Sequence, residues 1–216
     1  MYPISYEADF HPEPNRWTTF FRLLLAIPWF IVATFWGLVF YVTLFLAWLL
    51  VTILGRYPKW LYEVNAGIVR FTVRFSAWVY LQTDEWPPFG LSDDPGYPIR
   101  VNVGPPAARQ SRLKAFFRHI LALPVLFVLS YGTAYITLLA GFVAWLTIVF
   151  RGYLPEWINE MLTGLHSFQA RVLGYLAILT DDYPPIGLER AKGVTEPAAV
   201  PAPPIPPQPP AAPPAI

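Results

Sequence analysis

Formal charge disappears from this chain in two long stretches, Leu23–Leu54 and His119–Phe150, each of 32 residues with one histidine as the only exception. A hydrocarbon core about 30 Å thick needs ~20 apolar residues in a helix. Each stretch is therefore longer than one ordinary span. Pro28 and Pro124 stand near the start of each, where a missing donor and a steric clash should bend or break a helix. The pattern predicts a short amphipathic interfacial helix over Arg16–Ile27 and a span over Trp29–Leu54. The equivalents are Arg112–Leu123 and Val125–Phe150. Gly55 and Gly152 sit where a C-cap glycine belongs, and Pro58 and Pro155 where a helix can restart. A second helix then runs over Lys59–Gln82 and again over Glu156–Thr180.

These second helices carry charge. At 100° per residue Glu63, Gly67, Arg70 and Arg74 share one face, as do Glu160, Gly164, Ser167 and Arg171. Such a stripe faces headgroups if the helix lies in the interface. If the helix spans, it faces a bundle interior or a wet cavity. Short alternating stretches, Ile4–Phe10 and Ile99–Val103, predict strands that pair as a small surface β element.

The two stretches belong to a duplication. Tyr2-Pro3-Ile4 returns as Tyr97-Pro98-Ile99. Arg16–Pro28 returns as Arg112–Pro124, with seven of thirteen positions identical. Gly55, Pro58, Trp60, Glu63 and Gly67 return as Gly152, Pro155, Trp157, Glu160 and Gly164, and Arg74–Leu91 returns as Arg171–Leu188. The offset stays between 95 and 97, which excludes chance. The expected units are residues 1–95 and 96–190, followed by a tail, 191–216. The order YPI, R-x-x-x-FFR-x-x-LA-x-P, apolar run, aromatic G-x-x-P turn, Arg-bearing helix and TD[DE]-x-PP resembles an uncharacterised bacterial membrane-protein family, catalogued as a domain of unknown function of the 4389 type. The resemblance covers residues 2–91 and 97–188. It implies the doubled architecture and no chemistry.

The fold class expected is thus an all-α membrane protein of two tandem helical-hairpin repeats. About four helices are membrane-embedded, with short interfacial helices and the small β element besides. Composition agrees. Hydrophobic residues make up 55% and charged residues 13%, against about 25% charged in soluble domains. A net charge of +1 gives no electrostatic case for nucleic acid. Without cysteine there are no disulfides or thiolate sites. Residues 197–216 are half proline and predict a disordered tail of polyproline II character. If all four helices span, the N-terminus, the linker and the C-terminus share one side. Arg16, Arg22, Arg100, Arg109, Arg112, Lys114, Arg118, Arg190 and Lys192 would then gather there, which is the cytoplasmic side by the positive-inside rule. If only the long stretches span, the units are inverted and the basic residues divide.

Three features bear on chemistry. The stripe Glu63, Arg70, Arg74, Glu160 and Arg171 reads as a polar path between units or, more simply, as snorkelling anchors. Asp84 and Glu85, repeated as Asp181 and Asp182, follow helix C-termini, where the dipole disfavours them. Arg16, Arg22, Arg112 and Arg118 are the compensating partners expected in an Arg–carboxylate clasp. His11, His119 and His166 lack ligand spacing, so no metal or cofactor is expected, and no catalytic motif is present. The leading expectation is a non-enzymatic scaffold or accessory subunit, in contact with lipid, another membrane protein or itself. The alternative is a small transporter or channel with a polar path between the repeats.

Overall fold

A computed structural model describes residues 2–107 and 109–185; the proline-rich tail lies outside the described residues. The chain is mostly helical. Strand β1 (Ile4–Ala8) leads into short helices α1 (Arg16–Phe20) and α2 (Arg22–Leu25), then α3 (Ile27–Leu54) and α4 (Lys59–Val79). The second unit repeats the order with β2 (Ile99–Val103), α5 (Arg112–Phe116), α6 (Arg118–Phe127), a π-helical turn (Val128–Thr133), α7 (Ala134–Arg151) and α8 (Glu156–Leu176). Asn15 and Ser111 cap α1 and α5 with their side chains. Gly55 and Gly152 close α3 and α7 at φ +67° and +84°, a left-handed cap that only glycine adopts without cost.

Two details differ from expectation. Each predicted interfacial helix is two pieces, broken at Phe21 and Phe117. Pro28 occupies the first turn of α3, where its missing donor costs nothing, whereas α6 continues through Pro124 and widens into the π turn. The second helices also stop earlier than predicted, at Val79 and Leu176. They are followed by Leu81 and Ile178, both buried and both at positive φ (68° and 61°), a strained conformation for any residue that carries a Cβ.

Each long helix forms an antiparallel hairpin with the helix that follows it. Thr43 of α3 donates to Asn65 of α4 at 2.6 Å, and Val125 of α6 packs with Phe168 and Val172 of α8. The helices α4 and α8 form the centre, mostly buried, and they too run antiparallel. Gln82, beyond the end of α4, donates to Asn159 and Thr163 near the start of α8. Tyr57, before α4, donates to the carbonyl of Ala177, after α8. The hairpins are therefore inverted relative to one another. This corrects the expectation that the linker's basic residues share one side with those of the N-terminus. Arg16, Arg22 and Arg151 lie at one end of the bundle, and Arg56, Lys59, Arg112 and Arg118 at the other.

The inversion follows from the sheet. β1 and β2 are equivalent segments, and they pair antiparallel with Ile4 opposite Val103 and Ala8 opposite Ile99. Antiparallel pairing of equivalent segments imposes a twofold relation on whatever follows them. One face of the ribbon (Ile4, Tyr6, Ile99, Val101) is buried on α4 and α8. Each strand crosses to the other unit, since β1 packs along α8 and β2 along α4. Likewise α1 packs on α7 and α5 on α3. Arg16 and Arg112 follow the same exchange and rest against Gly152 and Gly55.

After α4 the chain turns back along it rather than leaving the bundle. Trp86 and Phe89 stack on Trp29 at 4.7 and 4.6 Å, and Leu91 lies on Gly67. A Cβ at Gly67 would come 2.7 Å from the Leu91 carbonyl oxygen, whereas one at Gly37 would meet nothing within 4 Å. Gly67→Ala should therefore cost about 1–3 kcal/mol by overpacking. Gly37→Ala should be neutral or stabilise by up to ~1 kcal/mol, as alanine does in a helix. Thermal unfolding of the two variants in detergent micelles checks the contrast.

Candidate functional site

The polar residues that stand out are gathered at three places. At one end of the bundle Asp84 receives Arg22 Nη2 at 2.6 Å, the backbone N–H of Asn15 at 2.6 Å and the Thr18 hydroxyl at 3.4 Å. At the other end Asp181 receives Arg118 Nη2 at 2.7 Å and the N–H of Ser111 at 3.0 Å. The Arg22 and Arg118 side chains are 3% and 0% exposed, stacked over Trp78 (4.5 Å) and Tyr175 (4.3 Å). Arg118 also donates to the carbonyl of Thr180 at 2.7 Å. The strained residues Leu81 and Ile178 turn the chain so that Thr83-Asp84 and Thr180-Asp181 meet these arginines. Each carboxylate also sits at the N-terminus of a short helix, where the backbone donors favour it.

Of the predicted clasp, the structure brings Arg22 to Asp84 and Arg118 to Asp181. Arg16 and Arg112 lie elsewhere, Arg112 donating to the Leu54 carbonyl at 3.3 Å. Glu85 and Asp182 are exposed, and their backbone carbonyls accept from Tyr97 and Tyr2. Sequence reasoning missed Asn15, Thr18 and Ser111. Their signal was available, because Asn and Ser immediately before a repeated Arg-led helix are N-cap residues.

The predicted stripe divides. Glu63 is exposed and lies 3.7 Å from Lys59; Glu160 is exposed at the start of α8. Arg70 and Arg74 turn to the ribbon instead. Arg70 donates to the carbonyl of Val101, and Arg74, 1% exposed, to those of Ile99 and Ser92 and to the Asp93 carboxylate, each of the last three at 3.1 Å. Arg171 is buried, donating to Ser167 at 3.1 Å and facing the Tyr2 ring. The stripe thus ties strands and loops to helices.

The third place is the outer face of the ribbon. Arg100 forms a bidentate pair with Asp9 (2.6 and 2.8 Å) and reaches Glu7 at 3.5 Å. The Arg100 hydrogen bonds hold the Asp9 carboxyl below the usual carboxylate range, and raise the guanidinium in turn. A groove of about 240 Å³ also opens between α4, α7 and α8, lined by Ser76, Tyr80, Thr133, Thr137, Leu165 and Gln169. Nearby, His166 lies 3.2 Å from Ser76. Among the described residues no group of three or more His, Asp or Glu side chains is placed to hold a metal ion.

The same carboxylate, arginine and cap recur in each unit, and the match to known families follows that division. The sequence model of the family "Domain of unknown function (DUF4389)" matches residues 16–90 and again 112–186. The chain belongs to this family. It carries two DUF4389 copies in tandem, and each match runs from the N-cap region of α1 or α5 to just beyond the carboxylate clasp. The strands, which recur with each unit, lie just ahead of both matches. No curated protein and no solved structure matches the chain.

Two measurements follow from this geometry. Arg118→Met strands the Asp181 carboxylate and two carbonyls, and should cost about 3 kcal/mol, as breaking buried ion pairs does. Exposed Arg112→Met should stay within ~0.5 kcal/mol. Equal losses in detergent unfolding curves would remove the clasp from its structural role. At the ribbon, Asp9 is more than half exposed, which limits its pair to about 1 kcal/mol. Its folded-state pKa is depressed, so this stabilisation is complete above the unfolded carboxyl pKa of about 3.9 and fades as the pH falls through the lower folded value. Carbon-detected NMR titration should place the Asp9 midpoint below that of a free aspartate, and Arg100→Gln should return it to the ordinary range.

Proposed function

We propose that the protein is a non-enzymatic scaffold or accessory subunit of the cell membrane, held in lipid by α3 and by α6–α7. The observation that carries the reading is where its charge and its apolar surface go. Arg22, Arg74 and Arg118 are committed to internal ties, while the largest uncommitted surface is hydrocarbon. Ile27–Leu54 and Arg118–Arg151 are both long and apolar enough to cross a membrane. Their side chains remain largely uncovered, with Ile31, Leu38 and Phe127 at 66–69% exposure. Soluble proteins rarely leave apolar patches of this extent open. Trp17, Trp60, Trp86 and Trp157, all exposed near element ends, have the amphipathic rings favoured at headgroup depth.

The partners that fit such a surface are membrane lipid, another membrane protein or a second copy of this chain; nothing in its charge favours nucleic acid. A transporter or channel is the second reading, favoured by the hydroxyl-lined groove between α4, α7 and α8. Purification in mild detergent, followed by mass measurement of the complex, should recover a stoichiometric partner or a defined homo-oligomer. Repeated recovery of a lone monomer counts against the scaffold reading. A solute flux in proteoliposomes that disappears in Thr137→Leu would replace it with the transport reading.

A further inference from the structure

The ribbon and the helices share one long axis. Going along β2, Ile99 meets Arg74, Val101 meets Arg70 and Gly104 meets Tyr62, so the strand descends α4 for about three turns. β1 does the same on α8: Ile4 lies on Gly174, Tyr6 beside His166, and the carbonyl of Pro12 accepts from Leu154 ahead of that helix. The ribbon therefore runs parallel to the bundle axis, along the middle of α4 and α8. Its outer face is polar along the whole length. Ser5, Glu7, Arg100 and Asn102 point away from the helices, and Asp9 joins them, with the Glu7 and Asp9 carboxylates 57% and 59% exposed. The neighbouring loop exposes Ser92, Asp93 and Asp94.

This arrangement constrains how the molecule can sit in lipid. Were the bundle axis to stand along the membrane normal, the Arg100–Glu7–Asp9 group would lie part-way along α4 and α8, near the middle of the bilayer. Uncovered charge does not occur against hydrocarbon, because no water is there to satisfy it. Turning the axis into the membrane plane removes the conflict. The ribbon then faces water, the α4–α8 pair forms the middle layer, and α3 with α6–α7 sinks into acyl chains. The short helices extend the same apolar surface at the two ends through Trp17, Leu24, Leu113 and Leu121, all exposed. The helix lengths suit that posture. At 1.5 Å per residue α3 is ~42 Å and Arg118–Arg151 ~51 Å, both longer than the ~30 Å hydrocarbon core.

We propose that the protein lies flat in one leaflet with the ribbon in water, and that its apolar underside takes the acyl chains of that leaflet as its partner. This rests on the membrane location proposed above and replaces spanning by in-plane insertion. The two hairpin turns, at opposite ends of the bundle, are then on the same side of the membrane. Because the chain has no cysteine, single probes report without background. Arg56→Cys and Arg151→Cys mark the two turns, and Asn102→Cys marks the ribbon; all three side chains are exposed. Each full-length variant is labelled with a membrane-impermeant maleimide in right-side-out and in inside-out vesicles, after a carbonate wash has shown that it stays in the membrane pellet. The expected result is that all three label from one and the same vesicle orientation and from neither turn in the other. Labelling of Arg56→Cys and Arg151→Cys from opposite orientations overturns the proposal in favour of spanning. Failure of Asn102→Cys to label from either orientation overturns it too, in favour of a ribbon covered by a second protein surface. Release of the chain by carbonate overturns the membrane location itself and is distinct from both.

Discussion

Two five-residue strands from the beginnings of equivalent units pair antiparallel, and the rest of the molecule is arranged around that ladder. A two-stranded ribbon is marginal alone and gains stability by burying one face. Here that face lies on the seam between α4 and α8. Because the paired segments are equivalent, their antiparallel register relates the units by a twofold, and each strand lies on the partner unit's central helix. The short helices follow, α1 onto α7 and α5 onto α3. Neither unit completes its own packing.

Buried charge supports this exchange at its weakest points, the ends of the central helices. A carboxylate just past a helix C-terminus faces the negative end of the dipole. Arg22 and Arg118 neutralise it, and the N-terminal donors of α1 and α5 supply its remaining hydrogen bonds. Arginine suits the position better than lysine, since its planar head stacks on Trp78 or Tyr175 while donating sideways. The strain at Leu81 and Ile178 belongs to the same device. Turning the chain with a positive φ costs of order 1–3 kcal/mol, and full burial of both side chains offsets it. Arg74 and Arg70 extend the principle to the ribbon, whose outward carbonyls they satisfy.

The result is a two-faced molecule. Polar groups that remain in contact with solvent are concentrated on the ribbon, the loop beside it and the bundle ends. The long helices α3 and α6–α7 contribute almost only hydrocarbon. The units are not equal, however. Unit one packs Trp29, Trp78, Trp86 and Phe89 beside α3, whereas unit two carries Val125, Tyr175 and Tyr183 at the positions of the three tryptophans and has the π turn between α6 and α7. Duplication preserved the clasps and let the apolar surroundings diverge.

What the sequence determined was local. The duplication, the two apolar helices, the glycine caps at Gly55 and Gly152, the paired strands and the need for arginine beside Asp84 and Asp181 all follow from residue type and short-range spacing. Tertiary structure decided the pairing of those parts: which arginine of two reaches each carboxylate, the inversion of the hairpins, the exchange of strands and short helices, the strained turns without glycine and the passage of α6 through Pro124. The reason is that periodicity states which face of an element must be covered, and in a duplicated chain two equivalent elements are always available to cover it. Which of the two does so depends on a register between segments nearly a hundred residues apart, and only the folded chain brings that register into being.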